Sequence, residues 1–294
     1  MSTHALYLIL ITLIAGTVNG ALGYGFSSIT VPLALLFLSN RVLNPALVLI
    51  EVALNAYVLF VNRDAISSVW RRVALIVVGL LPGVIAGTLI VSHVSPSWLK
   101  LWTYFVLLPV ILFQAAGYRR PVRSEKAVGL PFGFGLGVLY SVTTISGPPL
   151  AVLLNNQGFG KREFRAALGL VRLAESTFTA IAYLTAGLIT TTSMQLIPLI
   201  VPSVLFGVPL GSLLIRHVRA EAFRRVCMSF DAWIVAFGVS TIFRDLKIIE
   251  GANAFLFLAV VVLIDALLLW RFFRVGHPET AAAPVRVRAA GSAS

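Results

Sequence analysis

The chain has 294 residues, 59% of them hydrophobic and only 12% charged, whereas a soluble domain carries roughly 25% charged residues. With a mean hydropathy of +0.95, it is not a water-soluble enzyme. The formal net charge of +12 raises the question of a nucleic-acid partner, but the basic residues sit between apolar stretches, where they set membrane topology; no nucleic acid is expected.

The opening residues, MSTHALYLIL, lack the basic n-region and small-residue cleavage site of a signal peptide, so the N-terminus is expected to be retained. Apolar segments follow near 5–38, 44–62, 73–92, 98–117, 127–154, 163–187, 194–215, 222–243 and 252–273. About 20 helical residues cross a hydrocarbon layer, and lipid offers no water to an open backbone. The expected fold is therefore an all-α polytopic membrane protein of about 7–9 membrane segments.

The first and fifth segments are unusually long and are interrupted midway. Gly20, Gly23, Gly25, Ser27, Ser28 and Pro32 break one, and Ser141, Thr143, Thr144, Ser146, Gly147, Pro148 and Pro149 break the other. Glycine and proline end or kink helices, so each segment divides into two half-helices. If each is a re-entrant hairpin and the N-terminus lies outside, most basic residues become cytoplasmic, as the positive-inside rule requires. Arg63, Arg71, Arg72, Arg119, Arg120, Arg123, Lys126, Lys161, Arg162, Arg165, Arg216, Arg219, Arg224, Arg225, Arg271 and Arg274 lie on that side, against Arg41, Lys100, Arg244 and Lys247 outside. Single crossings preserve most of this sidedness, so charge leaves hairpin and full span both open. Trp70, Trp98, Trp102 and Trp270 fall at expected membrane boundaries, where amphipathic rings concentrate.

The two halves resemble each other internally. Gly16, Gly20, Leu22, Pro32 and Leu33 return in order as Gly133, Gly137, Leu139, Pro149 and Leu150; Arg41, Ala46 and Leu47 return as Arg162, Ala167 and Leu168; Gly83, Gly87 and His93 return as Gly207, Gly211 and His217. With the charge pattern this predicts two inverted-topology repeats, 1–120 and 127–245, an extra C-terminal helix at 252–274, and a disordered cytoplasmic tail at 276–294.

A half-helix beginning near Ser27 and Ser28, and another near Ser146 and Gly147, expose unpaired N–H groups and the positive end of a helix dipole, which suit a small anion. The alternative is a pair of ordinary kinks whose hydroxyls bond their own backbone. Glu51, Arg172, Glu175, Asp231 and Asp265 lie well inside apolar segments, where each costs about 2.5–3.5 kcal/mol unless it faces protein or a wet cavity. Glu51 and Arg172 occupy equivalent repeat positions. Arg172 is a receiver for the anion, with Glu51 or Glu175 releasing it or carrying a coupling proton; a structural ion pair, including Arg172 with Glu175 one turn apart, is the competing reading. Asn55 and Asn19 face the same region or serve helix packing, and Asp231 and Asp265 are expected to make interhelical hydrogen bonds. A lone cysteine, Cys227, four scattered histidines and the absence of HExxH and GxxxxGK[ST] argue against metal, protease and ATPase chemistry; no cofactor is expected.

The stretches GPPLAVLL at 147–154, KREFRAAL at 161–168 and NGALGYGFSSITVPL at 19–33 resemble the two signature repeats of the sulfite exporter TauE/SafE family. The resemblance implies an inner-membrane permease of two inverted halves that moves small anions such as sulfite or sulfoacetate. This sequence has fewer glycines at the breaks, with Tyr24 and Phe26 interrupting the first run and residues 141–146 replacing most of the second.

The function expected is a multi-pass secondary transporter of the bacterial inner membrane, with a cytoplasmic C-terminus, that exports a small anion by alternating access. The substrate-binding set is Gly25, Ser27, Ser28, Thr143, Thr144, Ser146, Gly147 and Arg172; the coupling or gating set is Glu51, Glu175 and Asn55. An inside-negative potential drives each exported negative charge with about 2.3 kcal/mol per 100 mV. The alternatives are a proton-coupled anion importer and an accessory subunit of a membrane complex. The partners are the anion and membrane lipid, with homo-oligomerisation left open.

Overall fold

The computed structural model describes residues 3–115, 125–155, 157, 159–214, 220–249 and 251–274. Helices α1 (Thr3–Leu22) and α2 (Phe26–Ala34) come from the first broken segment, followed by α3 (Asn40–Val61), α4 (Ile66–His93) and α5 (Pro96–Ala115). The second broken segment gives α6 (Glu125–Thr143) and α7 (Gly147–Asn155), followed by α8 (Lys161–Thr185), α9 (Thr191–Leu214), α10 (Ala220–Asp245) and α11 (Leu256–Arg274). Among the described residues there is no strand, and six helical stretches are long and apolar enough to cross a membrane: His4–Leu22, Asn40–Val61, Arg63–His93, Arg162–Thr185, Thr191–Leu214 and Asn253–Arg274. Large apolar side chains such as Leu205, Phe206, Leu184 and Leu263 point outward, as a lipid-facing surface demands.

Both long segments break where the sequence predicts, by different means. At the first, Gly23 and Gly25 take positive φ values of 83° and 108°, a region that costs a side chain strain. At the second, Thr144 has a φ of 57°, and threonine hydroxyls do the stabilising. Thr143 Oγ1 donates to the Leu139 carbonyl at 2.7 Å and accepts from the Ile145 N–H at 3.0 Å, so a donor freed by the break is satisfied.

Two pairs of helices meet along glycine seams. Gly16 and Gly20 of α1 lie against Val204, Gly207 and Val208 of α9, and Gly207 and Gly211 lie against Leu13, Thr17 and Ala21. Likewise Gly79, Gly83 and Gly87 of α4 lie against Leu130, Phe134 and Val138 of α6, and Gly133 and Gly137 return against Ile76, Leu80 and Gly83. Contacts advance together along both members, so each pair is parallel, and the missing side chains let the backbones approach closely.

The chain doubles back after each short helix. Phe37, beyond α2, stacks on His4 at the start of α1 with ring centroids 5.3 Å apart. Beyond α7, Arg72 near the start of α4 donates to the Gln157 carbonyl at 3.0 Å and covers the Phe159 ring; α4 runs parallel to α6, so this is the end at which α6 starts.

The larger apolar clusters divide the interior. One gathers α1, α2, α5, α9 and α10 with one side of α3; the other gathers α4, α6, α7 and α8. Tyr24 of the first break belongs to the second cluster, and Ile145 of the second break to the first.

Two of the basic residues counted for sidedness are tied into the helical bundle. Arg225 is buried on α10 and pairs with Asp265 of α11 at 3.0 Å; Asp265 thereby makes the interhelical bond expected of it. Arg41 turns back onto the end of α4, donating to the Val91, Ser92 and Val94 carbonyls at 3.1, 2.9 and 3.0 Å, where the helix leaves carbonyls unpaired. His93 is exposed and bonds the Leu89 carbonyl of its own helix at 2.9 Å. The side chains of Arg119, Arg120, Arg123, Lys126, Lys161, Arg216, His217, Arg219, Arg224, Cys227 and Asp231, and the tail at 276–294, lie outside the described residues.

Candidate functional site

Helices α3 and α8 run against each other, and each carries polar residues at helical spacing on its inner face. On α3 these are Asn40, Asn44, Glu51 and Asn55; on α8 they are Arg172, Glu175, Ser176, Thr179 and Tyr183, and all are buried. Residues three, four or seven apart share one face of a helix, so two otherwise apolar helices turn polar stripes towards each other.

Glu51 is the centre of the site. Its Oε1 accepts from Arg172 Nη2 at 2.9 Å and from Ser27 Oγ at 2.6 Å, and its Oε2 accepts from the Tyr140 hydroxyl at 2.8 Å. Glu51 and Arg172 are 1% and 3% exposed. Burying such a pair costs desolvation of both ions, and removing one partner strands the other at about 3–5 kcal/mol. The contributing elements are the start of α2, the middle of α3, the end of α6 and the middle of α8, so the first break and the α3–α8 crossing meet here.

A second node lies one turn along α8, where the Ser146 hydroxyl, immediately before α7, donates to Glu175 Oε1. Each break thus hands one serine hydroxyl to one buried carboxylate. Asn55 Nδ2 donates to the Arg172 carbonyl at 3.3 Å, and Ser176 Oγ donates to the same oxygen at 2.8 Å. In the cluster, Arg172 Nε and Nη1 and Glu175 Oε2 are buried without a hydrogen-bond partner in the structure, as is Asn19 Oδ1 on α1, which is costly in a low-dielectric interior.

Of the residues singled out from sequence, Ser27, Glu51, Asn55, Ser146, Arg172 and Glu175 are brought together. Gly25 forms the first break, and Gly147 opens α7 with Tyr24 packed over it. Ser28 is buried on α2. Thr143 and Thr144 spend their hydroxyls on backbone atoms, Thr144 Oγ1 donating to the Thr143 carbonyl at 2.7 Å. The ion pair of Arg172 runs across to Glu51 of α3 and not along α8 to Glu175. Tyr140 was missed; a tyrosine within an apolar helix gives no signal by itself, but its hydroxyl needs a partner once buried. The same holds for Tyr183, whose hydroxyl donates to the Ser141 carbonyl.

Comparison with known proteins gives a family match and a curated relative. The model of the family described as sulfite exporter TauE/SafE matches residues 8–240. A protein of Cupriavidus necator, described as a probable sulfite/organosulfonate exporter TauE, is 34% identical over 113 residues, which are 37% of this chain. The match spans 44% of that relative's own length. No solved structure matches.

Proposed function

The chain belongs to the sulfite exporter TauE/SafE family of membrane transporters, and from that premise we propose that it exports a small sulfur-containing or carboxylate anion by alternating access between two inverted halves. The observation that carries the reading is the buried Arg172, held at the meeting of two broken helices with two of its nitrogens unpartnered. A buried guanidinium is the side chain best suited to a planar or pyramidal oxyanion. In this reading Arg172 receives the anion. Ser27, Ser28, Ser146 and the first N–H groups of α2 and α7 line its path, Gly25 and Gly147 let backbone approach it, and Thr143 and Thr144 hold the second break open. Glu51, Glu175 and Asn55 form the gate.

The inverted-repeat arrangement is supported by the seams. The repeat-related glycines Gly16 and Gly133, Gly20 and Gly137, Gly83 and Gly207, and Gly87 and Gly211 all lie in them, each seam joining one helix from either half. Re-entry is supported by the stacking of Phe37 on His4 and by the hold of Arg72 on Gln157. With both segments returning to their starting side, α1 and α6 run in opposite directions and the charged loops fall where the positive-inside rule places them.

The test is flux from proteoliposomes containing only this protein, comparing sulfite, sulfoacetate, sulfate, thiosulfate and acetate under an imposed potential and then a pH gradient. Potential-driven flux of one anion is the expected result. Accumulation of the anion against its own gradient, driven by the pH gradient, selects the proton-coupled importer, and folded protein that moves none of these anions overturns the reading in favour of an accessory subunit.

A further inference from the structure

The contact between Glu51 and Arg172 is one-sided. Nη2 belongs to both edges through which a guanidinium makes paired hydrogen bonds, the Nε/Nη2 edge and the Nη1/Nη2 edge, and Glu51 Oε1 occupies Nη2 alone. Nε and Nη1 are left buried without partners. A carboxylate tied to α3 therefore holds the nitrogen shared by both edges through a single bond and completes neither pair, although paired bonds are the stronger and commoner form of this interaction. Its own second bonds come from Ser27 and Tyr140, hydroxyls that serve a carboxylate or a carboxylic acid equally well, since a hydroxyl both donates and accepts.

We propose that the Glu51 carboxylate is a tethered stand-in for the transported anion, which binds by displacing it from Arg172 while Glu51 takes up one proton and stays on Ser27 and Tyr140. This rests on the anion-transport reading above and adds the order of events and the ligand class, an oxyanion with at least two terminal oxygens. The proton follows from charge. An anion entering beside Glu51 would put two unscreened negative charges against one guanidinium, and a proton from the open side restores the balance. The titratable groups facing Glu51 are Arg172 and Glu175 from α8 and Tyr140 from α6. Packed α2 presents Ser27, α9 carries no titratable residue, and α5 meets α3 at Asn40 and Thr103, three turns away.

The experiment uses the full chain in detergent with methanesulfonate as the probe, a monoanion whose charge is constant between about pH 5 and 8, so that any pH dependence belongs to the protein. Affinity should weaken as the pH rises, by up to about tenfold per pH unit, with about one proton taken up per anion in weak buffer. Chloride, with one atom, should compete at least about tenfold more weakly. Glu51→Gln should bind about tenfold or more tightly at the alkaline end, with a flat pH profile and no proton uptake. Methanesulfonate binding without proton uptake, or folded Glu51→Gln that binds no more tightly than the natural protein, overturns the proposal while leaving anion transport standing. Should Glu51→Gln fail to fold, proton uptake by the natural protein decides alone. If the natural protein binds no methanesulfonate and moves no sulfite, the proposal and the reading beneath it fall together.

Discussion

Tyr24 of the first break lies directly on Gly147 of the second: a Cβ added to Gly147 would stand 3.2 Å from the Tyr24 Cβ and 3.3 Å from its Cδ2. Ordinary packing leaves no room for a branched side chain at that distance. Gly147→Val should push the breaks apart and lower anion flux by about tenfold or more, because misplacing binding groups by an ångström is enough for such a loss. Overpacking also costs about 1–3 kcal/mol of stability, so flux is compared in protein shown to be folded in detergent. Unchanged flux from this variant would separate the contact from transport.

Arg172→Gln should remove anion binding and destabilise the protein by about 3–5 kcal/mol, since Glu51 is left buried without its cation. Combining it with Glu51→Gln should restore most of the stability and none of the binding. Unfolding curves and methanesulfonate titrations of the single and double variants separate these two roles of the arginine. If Arg172→Gln binds and transports normally in folded protein, the residue is structural.

At the second break, Thr143→Val removes the hydroxyl that accepts from Ile145 N–H, and stranding a buried donor costs about 1–3 kcal/mol. Thr143→Ser keeps the hydroxyl and should keep most of the stability. The comparison is made by unfolding temperature in one detergent, and equal losses in both variants would remove the hydroxyl from the account.

The seams predict a contrast between glycines. A Cβ on Gly211 would overlap the Thr17 carbonyl and one on Gly83 the Phe134 carbonyl, whereas nothing lies within 4 Å of one on Gly135. Gly211→Val and Gly83→Val should each destabilise by about 1–3 kcal/mol or more through overpacking. Gly135→Ala should be neutral or slightly stabilising, alanine being the better helix former. Size-exclusion profiles and unfolding midpoints report the difference.

Arg225 and Asp265 tie α10 to α11, and α11 lies beyond the family match at residues 8–240. Asp265→Leu should strand Arg225 and destabilise by about 3–5 kcal/mol, and adding Arg225→Met should recover that loss, as apolar replacement of a whole buried pair often does. Anion flux of the double variant should stay within about twofold of the natural protein, because the pair touches no residue of the α3–α8 cluster.

Much of the fold is legible in the sequence because lipid removes alternatives: an apolar run must be helical, and glycine with proline must break it. Glu51 and Arg172 stand out as ionisable residues inside apolar segments, at equivalent positions of two internally similar stretches, and the structure pairs them. The donors that complete the site were not legible. Ser176 shares a helix face with Arg172, but Tyr140 stands in an apolar stretch with no pattern around it, and which carboxylate a hydroxyl reaches depends on how helices cross. Arg225 gave no sign of its partner for a related reason. It ends a run of arginines that reads as a loop, and its partner is forty residues further on, so nothing local distinguishes it from its neighbours.

The glycine seam between α1 and α9 also constrains how the protein is made. Gly207 and Gly211 follow Gly16 and Gly20, which they pack against, by nearly two hundred residues, and so leave the ribosome roughly ten to forty seconds later at ordinary elongation rates. The mating face of α4, by contrast, is filled by α6 within a few seconds of its own synthesis. During the longer interval α1 has its close-packing surface open, whereas that of α4 is covered early, an order of synthesis that favours closing the α4–α6 seam before the α1–α9 seam.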